Sequence, residues 1–300
     1  MNPGRRTALF LLTSLTLFAL RWHEIRDLIR YALDTDHTNA SQVLLIPFVS
    51  GFLIFRDRSR IFSRVESAVL PGVLIALLGL GLAAAGHFLS APVDEGNRLS
   101  LTTSSILAIW IGLFVAFYGV EAFGAALFPL LFLAFCIPIP SAILNTLISL
   151  LQRGSAEISL ILLRLSGTPV YREGFVFHMP RLSIEVAPEC SGIRSCLSML
   201  ILTILAGHLL LKTTWRRLAL VVVAIPIMIF KNAVRIVTLT LLSLHVDPGI
   251  IESRLHREGG IPFFLLALLL TYPVLKVLMR TEKTEANGSG EQSMLREANL

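Results

Sequence analysis

The sequence has little charge. Asp, Glu, Lys and Arg together make up 15% of its 300 residues, whereas a soluble domain carries about a quarter. Apolar residues make up 54%, and a soluble globule of this size would have too few polar residues to cover its surface. Only three cysteines are present, which excludes a disulfide-rich secreted scaffold. The composition therefore predicts an all-α integral membrane protein with several spanning helices.

Several chemical signatures are also missing. The chain contains no HExxH, CxxC, GxGxxG or P-loop sequence, so neither a zinc ion nor a nucleotide cofactor is indicated. Its net charge of +6 comes from basic residues that flank apolar segments, without a basic patch in which aromatic residues are interleaved. We therefore expect no bound metal, no cofactor and no nucleic-acid partner. The basic residues instead indicate how the chain is oriented in a lipid bilayer.

Eight apolar segments are long enough, or nearly so, to cross a bilayer core of about 30 Å. They cover residues 6–22, 41–55, 66–89, 99–119, 122–139, 192–211, 218–243 and 260–279. The intervening segment 140–191 is too long for a connector. Its first part, 141–166, has the pattern of an amphipathic helix pair on the outer surface or of a half-buried hairpin. Its second part alternates apolar and polar residues, which indicates a small β-hairpin outside the membrane.

Four groups of Lys and Arg residues lie near the ends of these segments and set the orientation. They are Arg5–Arg6, Arg56–Arg64, Lys212–Arg217 and Arg280–Lys283. If all four groups lie in the cytoplasm, the eight spans alternate in direction without conflict. Both termini are then inside, and the segments outside are 23–40, 90–98, 140–191 and 244–259. Residues 1–280 are then one multi-pass membrane domain, and the polar segment 281–300 is expected to be a disordered cytoplasmic tail.

Cys190 stands in Ala-Pro-Glu-Cys-Ser-Gly-Ile, where Pro188 and the Ser-Gly pair mark a turn into the sixth span. The orientation places this turn on the outer face, and the amide donors and dipole of a helix N-terminus favour a thiolate there. The alternative is a small apolar core residue, which is the role we expect of Cys136 and Cys196 deep in their spans. Glu189 is either a group that orients the site or a solvated residue at the helix cap.

Two further ionisable residues fall on the same outer side. Arg235 lies in the outer half of the seventh span, where burying a guanidinium costs at least ~2.5–3.5 kcal/mol. Asn232, three residues before it, shares its helix face. His256 lies just before the eighth span. Each residue also has a structural interpretation. Arg235 could neutralise a buried acid or extend to the membrane interface, and His256 could be a solvated loop residue.

Cys190, Arg235 and His256 together have the chemistry of an acyl-transfer site. The thiol would attack a peptide carbonyl, the histidine would accept or return a proton, and the arginine would stabilise the thiolate or the oxyanion. The main alternative is a non-enzymatic membrane transporter or a scaffold for exopolysaccharide export, because spans interrupted by Pro and Gly with an internal arginine also suit a transporter. A third is a membrane thiol enzyme of another kind, such as a lipoprotein acyltransferase.

Three segments resemble motifs of the exosortase/archaeosortase family: Glu-Cys-Ser-Gly-Ile-Arg-Ser at 189–195, Asn-Ala-Val-Arg at 232–235 and Leu-His…Gly at 255–260. Their order, Cys then Arg then His over the last spans of a multi-pass membrane protein, is that of the family. Asp-His-Thr at 36–38 is also similar, although Thr38 stands where exosortases often carry glycine. Archaeal relatives often have arginine at the third position, so His256 favours a bacterial-type enzyme.

The resemblance implies an exosortase-type cysteine protease or transpeptidase in the bacterial cytoplasmic (inner) membrane. Besides the lipid bilayer, its partners would be exported proteins that end in a Pro-Glu-Pro-type motif, a spanning helix and a basic tail. It would cleave them at the outer membrane face through a thioester at Cys190, with Arg235 as the charged stabiliser and His256 as the third catalytic residue. The resemblance does not identify the acceptor, and both hydrolysis and transpeptidation stay open.

Overall fold

The computed structural model describes residues 2–33, 42–88, 94–180, 182–247 and 260–297. It is mainly helical, with one small sheet, and several of its helices are long and apolar enough to cross a membrane. The protein is thus an all-α integral membrane protein with a small β insertion, as the composition predicts. By internal packing the chain divides into two compact units, Met1–Leu144 and Asn145–Leu300.

Every regular element among the described residues of the first unit is a helix. Its helices are α1 (Pro3–Leu20), α2 (Trp22–Leu33), α3 (Ile46–Arg56), α4 (Arg58–Ile61), α5 (Val69–Phe88), α6 (Glu95–Ala125) and α7 (Leu127–Phe132), followed by a 3₁₀ turn at Leu133–Cys136. α1 and α2 meet at a bend of 70°. α5 and α6 pack with their backbones in close approach, since a Cβ added at Gly72 would lie 2.6 Å from the carbonyl oxygen of Gly112.

The number of spanning helices is lower than the eight predicted. By length and composition, six described helices qualify: α5, α6, α8 (Ser141–Leu165), α9 (Ile193–Leu210), α10 (Thr214–His245) and the Gly260–Glu282 part of α11 (Gly260–Glu297). Counting the bent pair α1 and α2 as one span makes seven. The prediction of eight is wrong because the apolar helices within 41–55 and 122–139 are only 10–17 residues long.

Proline accounts for the two short helices. Pro47 occupies the first turn of α3, so the helix begins there rather than earlier in the apolar segment. Pro138 and Pro140 follow the 3₁₀ turn at Leu133–Cys136 and prevent the helix from continuing. Hydropathy alone does not register these interruptions.

The helix pair predicted over 141–166 is a single helix, α8, which is long and apolar enough to span. No proline interrupts it, and its one glycine, Gly154, lies against Ile229 of α10, where an added Cβ would meet the Ile229 side chain at 3.0 Å. The three polar residues Gln152, Ser155 and Ser159 are buried. Their spacing of three and four residues places them on one side of the helix, facing the interior of the second unit.

The predicted β-hairpin is confirmed and has a third strand. β1 (Tyr171–Glu173), β2 (Val176–Met179) and β3 (Leu182–Glu185) form an antiparallel sheet in the order β1-β2-β3. Phe177 of β2 is fully buried and pairs with Ile184 of β3. Both belong to an apolar cluster that includes Leu163 of α8 and Ile236 of α10. The sheet is therefore anchored on two helices of its own unit.

The N-terminal end of α10 is held by a carboxylate from α11. Glu282 accepts hydrogen bonds from the backbone N–H groups of Lys212 and Thr213, the latter at 2.7 Å. It also forms an ion pair with Arg216, whose side chain is 1% exposed, at 3.4 Å. The backbone of α11 is helical as far as Glu297.

Candidate active site

Cys190 lies in a 3₁₀ turn, Pro188–Ser191, that connects the sheet to α9. Its backbone N–H donates to the carbonyl oxygen of Ala187 at 2.8 Å, and its half-buried side chain packs against the apolar cluster beneath the sheet. The turn begins at a proline because the missing N–H has no helical partner to lose there. Cys190 thus stands just before the N-terminus of α9, where the sequence predicts it.

Gly192 ends this turn and is the N-cap of α9. Its φ of +73° lies in the left-handed region that side chains with a Cβ rarely adopt. A Cβ at this position would also approach Oδ1 of Asn232 to 2.5 Å. Two independent constraints therefore require glycine two residues after the cysteine.

Asn232 of α10 ties the cysteine turn to two helices. Its side chain is fully buried, and Nδ2 donates to the Cys190 carbonyl oxygen at 2.9 Å and to Ser155 Oγ of α8 at 3.0 Å. On the other side of the turn, Gln152 Nε2 of α8 donates to the Val186 carbonyl oxygen. The backbone before and at Cys190 is consequently fixed by side-chain amides, which use their N–H groups as donors.

Cys190 and Arg235 line the same pocket. The cavity has a volume of about 240 Å³ and is lined by Ile184, Glu185, Val186, Ala187, Cys190, Arg235, Ile236, Leu239 and Thr240. Arg235 lies one turn after Asn232 on α10, so the helix that anchors the cysteine backbone also presents the guanidinium. The structure therefore brings together two of the three residues singled out in the sequence. The third, His256, lies outside the described residues, as do Asp36 and His37.

Positive charge is concentrated around Arg235. Both Arg194 at the start of α9 and Lys231 of α10 interact electrostatically with its guanidinium. Lys231 is 2% exposed, and its Nζ donates to Ser195 Oγ at 2.5 Å. Three basic side chains from α9 and α10 thus lie near one another, with Arg235 lining the pocket.

The other two cysteines lie elsewhere. Cys196 is buried with Met199, Met228 and Ala267 in an apolar cluster of the second unit. Cys136 is half-buried in the first unit, where its thiol contacts the Val43 carbonyl oxygen at 3.8 Å. None of the three cysteines forms a disulfide. Within the part of the chain that the structure describes, no group of three or more His, Cys, Asp or Glu side chains is arranged to hold a metal ion.

Sequence reasoning missed the contribution of α8. From the sequence alone, Gln152 and Ser155 lie with Arg153 and Glu157 in the polar middle of the amphipathic segment 141–166. In the structure the first two face the site, whereas Glu157 pairs with Arg172 of β1 at 2.8 Å. The signal was present, since 152, 155 and 159 recur at helical spacing while the charged residues fall between them.

Comparison with known families gives one match. The family model described as transmembrane exosortase matches residues 34–273, a range that includes Cys190, Asn232, Arg235 and His256. No curated protein and no solved structure matches the chain.

Proposed function

The chain belongs to the transmembrane exosortase family, and on that premise we propose that it is a membrane cysteine peptidase of exported proteins. It cleaves C-terminal sorting signals of the Pro-Glu-Pro type, and the new C-terminus either is released by water or passes to an acceptor. The proposal places the enzyme in the bacterial inner membrane with both termini in the cytoplasm, which requires the even count of six spans, in which the bent pair α1 and α2 does not cross. The active site then faces outward, where exported substrates pass.

The observation that supports this proposal is that Cys190 and Arg235 line one pocket although they come from different elements. A thiol nucleophile needs a nearby group that stabilises negative charge, first on sulfur and then on the carbonyl oxygen. Arginine suits this role in a membrane protein because its guanidinium does not lose its charge.

In the proposed reaction, the Sγ thiolate of Cys190 attacks the carbonyl carbon of the scissile peptide bond. The oxyanion that forms is stabilised by the Arg235 guanidinium. When the oxyanion collapses, the C–N bond breaks, the leaving amine takes a proton and a thioester remains on Cys190. We assign that proton to His256. Water or an acceptor amine then attacks the thioester, expels the thiolate and gives up one proton to the same histidine.

The backbone around the nucleophile is suited to such a reaction because it is held before any substrate arrives. Asn232 and Gln152 fix the carbonyl groups of Cys190 and Val186. A nucleophile positioned by buried hydrogen bonds avoids paying for its orientation at each turnover. The same rigidity has no evident use in a transporter, whose site has to change its access from one side to the other.

The test is processing of a reporter that ends in a Pro-Glu-Pro-type tail, followed by gel shift in cells that express the enzyme. Cys190→Ala and Cys190→Ser are expected to leave the reporter uncut at matched enzyme levels in the membrane. Cys196→Ala is the matched control, because that thiol lies in an apolar cluster and not in the pocket. Unchanged cleavage in Cys190→Ala would reject the nucleophile. Loss of polysaccharide export without accumulation of uncut reporter would favour the scaffold or transporter instead.

A further inference from the structure

The free edge of β3 opens into the pocket that contains Cys190. The sheet order is β1-β2-β3, so within the described residues no strand pairs with the outer edge of β3. The four consecutive residues Ile184–Ala187, which end this strand and follow it, line the pocket with Cys190 and Arg235. β1, which forms the opposite edge, contributes no residue to the lining. An edge strand beside a site is a recurring means of binding a peptide in extended form.

The direction of the backbone groups along β3 follows from its pairing with β2. In an antiparallel ladder, alternate residues direct both N–H and C=O toward the neighbouring strand, and the residues between them direct theirs away. The N–H of Val186 donates to the Phe175 carbonyl oxygen at 2.9 Å, so Val186 faces β2. By alternation Ile184 also faces β2, whereas Ser183 and Glu185 direct their backbone groups to the free edge.

A side-chain contact supports this assignment. His178 and Ser183 are partners across β2 and β3, and His178 Nδ1 lies 3.0 Å from Ser183 Oγ. Side chains approach each other most closely at the pairs whose backbones do not hydrogen-bond to one another. Ser183 therefore belongs to the set that leaves its backbone groups available on the outer side.

We infer that β3 is a docking strand for the substrate, and that the residues just before the scissile bond pair with its free edge as an added parallel strand. This inference rests on the proposed function. β3 runs toward Cys190, and in a sorting signal the residues after the cleavage site lead into the spanning helix. The residues before the cleavage site are consequently the ones that lie beside β3, and they run in its direction.

The pairing assigns specific hydrogen bonds. In a parallel ladder, one residue donates its N–H to the residue before its partner and accepts from the residue after it. One substrate residue opposite Ile184 thus donates to the Ser183 carbonyl oxygen and accepts from the Glu185 N–H. The residues on either side of it direct their backbone groups away from the enzyme.

The docking strand is held in place before the substrate binds. Its inner face packs through Ile184 into the apolar cluster that contains the buried Phe177. The chain just after it is fixed by the hydrogen bond from Gln152 to Val186. A rigid template spares the cost of ordering a loop, so main-chain pairing yields net affinity for a peptide whose side chains vary.

The experiment uses the full chain in detergent micelles and a synthetic peptide with a Pro-Glu-Pro-type motif, an apolar helix and a basic tail. A single N-methyl group is placed on each non-proline residue before the cleavage site in turn. Each methyl removes one donor from the substrate and leaves the enzyme's fold untouched. We expect alternate positions to lose about tenfold in kcat/KM, mainly through KM, because a net hydrogen bond is worth roughly that factor. Methyl groups on the residues between them should have much smaller effects.

A pair of proline variants tests the same inference from the enzyme side. Glu185→Pro removes an N–H from the docking edge, and Arg172→Pro removes the corresponding outward N–H from β1 at the opposite edge. Because Glu185 lines the pocket and Arg172 pairs with Glu157, Glu185→Ala and Arg172→Ala are measured beside them, which separates loss of the side chain from loss of the N–H. We expect KM to rise about tenfold in Glu185→Pro and to change less in Arg172→Pro, with thermal unfolding of both variants compared with that of wild type.

The outcomes separate the docking strand from the reaction itself. Sensitivity to N-methylation with a period of two residues supports the docking strand. If N-methylation has the same effect on kcat/KM at every position, or an effect that does not alternate, the docking strand is overturned. Cleavage of the unmodified peptide in the same experiment would still support the proposed peptidase activity. If wild type and Cys190→Ala both leave the unmodified peptide uncut, the proposed function fails and this inference fails with it.

Discussion

The side chain of Asn232 holds the backbone of Cys190, with Nδ2 donating to the cysteine carbonyl oxygen at 2.9 Å. The same nitrogen donates to Ser155 Oγ, so one buried amide fixes the nucleophile turn relative to α8 and α10. Arg235 follows one turn later on α10. One turn of α10 thus carries both the side chain that holds the Cys190 backbone and the guanidinium. This helix turn, rather than a flexible loop, positions the thiol relative to Arg235.

Asn232→Ala is expected to lower processing by about 10²-fold, because a misplacement of about 1 Å at a reacting group costs that much. Stability should fall by about 1–3 kcal/mol, since a buried carbonyl loses its donor. Asn232→Asp, which keeps the shape but cannot donate when ionised, should be at least as impaired. The measurement is single-turnover cleavage of the sorting-tail reporter beside thermal unfolding in detergent. Activity like wild type in Asn232→Ala would show that the anchor is dispensable.

Gly192→Ala should destabilise the protein by more than the usual cost of a left-handed residue, about 1–2 kcal/mol, because its Cβ also meets Asn232 Oδ1 at 2.5 Å. The double variant Gly192→Ala/Asn232→Ala removes the clash but not the backbone strain. Its stability loss should therefore be smaller than the sum of the two single losses. Thermal unfolding of the four proteins measures this coupling, and additive losses would mean that the two residues do not contact each other.

The site could be predicted from the sequence to the extent that helical spacing determines it. Cys190 precedes a span and Arg235 lies inside another, and both fall where a thiol and a guanidinium have few structural reasons to be. Asn232 was placed on the face of Arg235 because it lies three residues earlier. Its bond to the Cys190 carbonyl oxygen could not be predicted, because that contact depends on how α10 packs against the turn.

The span count was overestimated for a different reason. Apolar composition predicts a span over 41–55 and over 122–139, yet Pro47, Pro138 and Pro140 limit the helices that these segments form. α8 shows the converse. Its polar residues predict a pair of surface helices or a half-buried hairpin, whereas in the structure Gln152 and Ser155 bond to groups inside the unit and the helix is continuous. A polar residue in an apolar helix does not reveal from sequence alone whether water or a buried partner satisfies it.

Glu282→Ala is expected to lower the midpoint of thermal unfolding, because the backbone N–H groups of Lys212 and Thr213 lose their acceptor at the start of α10. Glu282→Gln should lose less, since an amide oxygen still accepts a hydrogen bond. Thr281→Ala is the control, because that hydroxyl is exposed and bonds only to carbonyl groups of its own helix. The midpoint of thermal unfolding in detergent is the measurement. Equal midpoints for Glu282→Ala and Thr281→Ala would contradict a capping role.

Variants of Arg235 and Arg194 can distinguish a charge that contacts the reacting oxygen from a charge that only contributes to the electrostatic field around it. Arg235→Gln is expected to lower kcat by about 10²–10³-fold, which is the usual cost of removing one group that stabilises an oxyanion. Arg235→Lys should recover part of this loss, because it restores the charge without the planar guanidinium. Arg194→Gln removes a neighbouring charge on an exposed side chain outside the pocket lining, and we expect a smaller loss that shrinks further as salt is added. If Arg194→Gln were as impaired as Arg235→Gln, the overall electrostatic field would be responsible, and not a contact between Arg235 and the reacting oxygen. If Arg235→Lys remained folded but recovered no activity, the role of Arg235 would be one of packing.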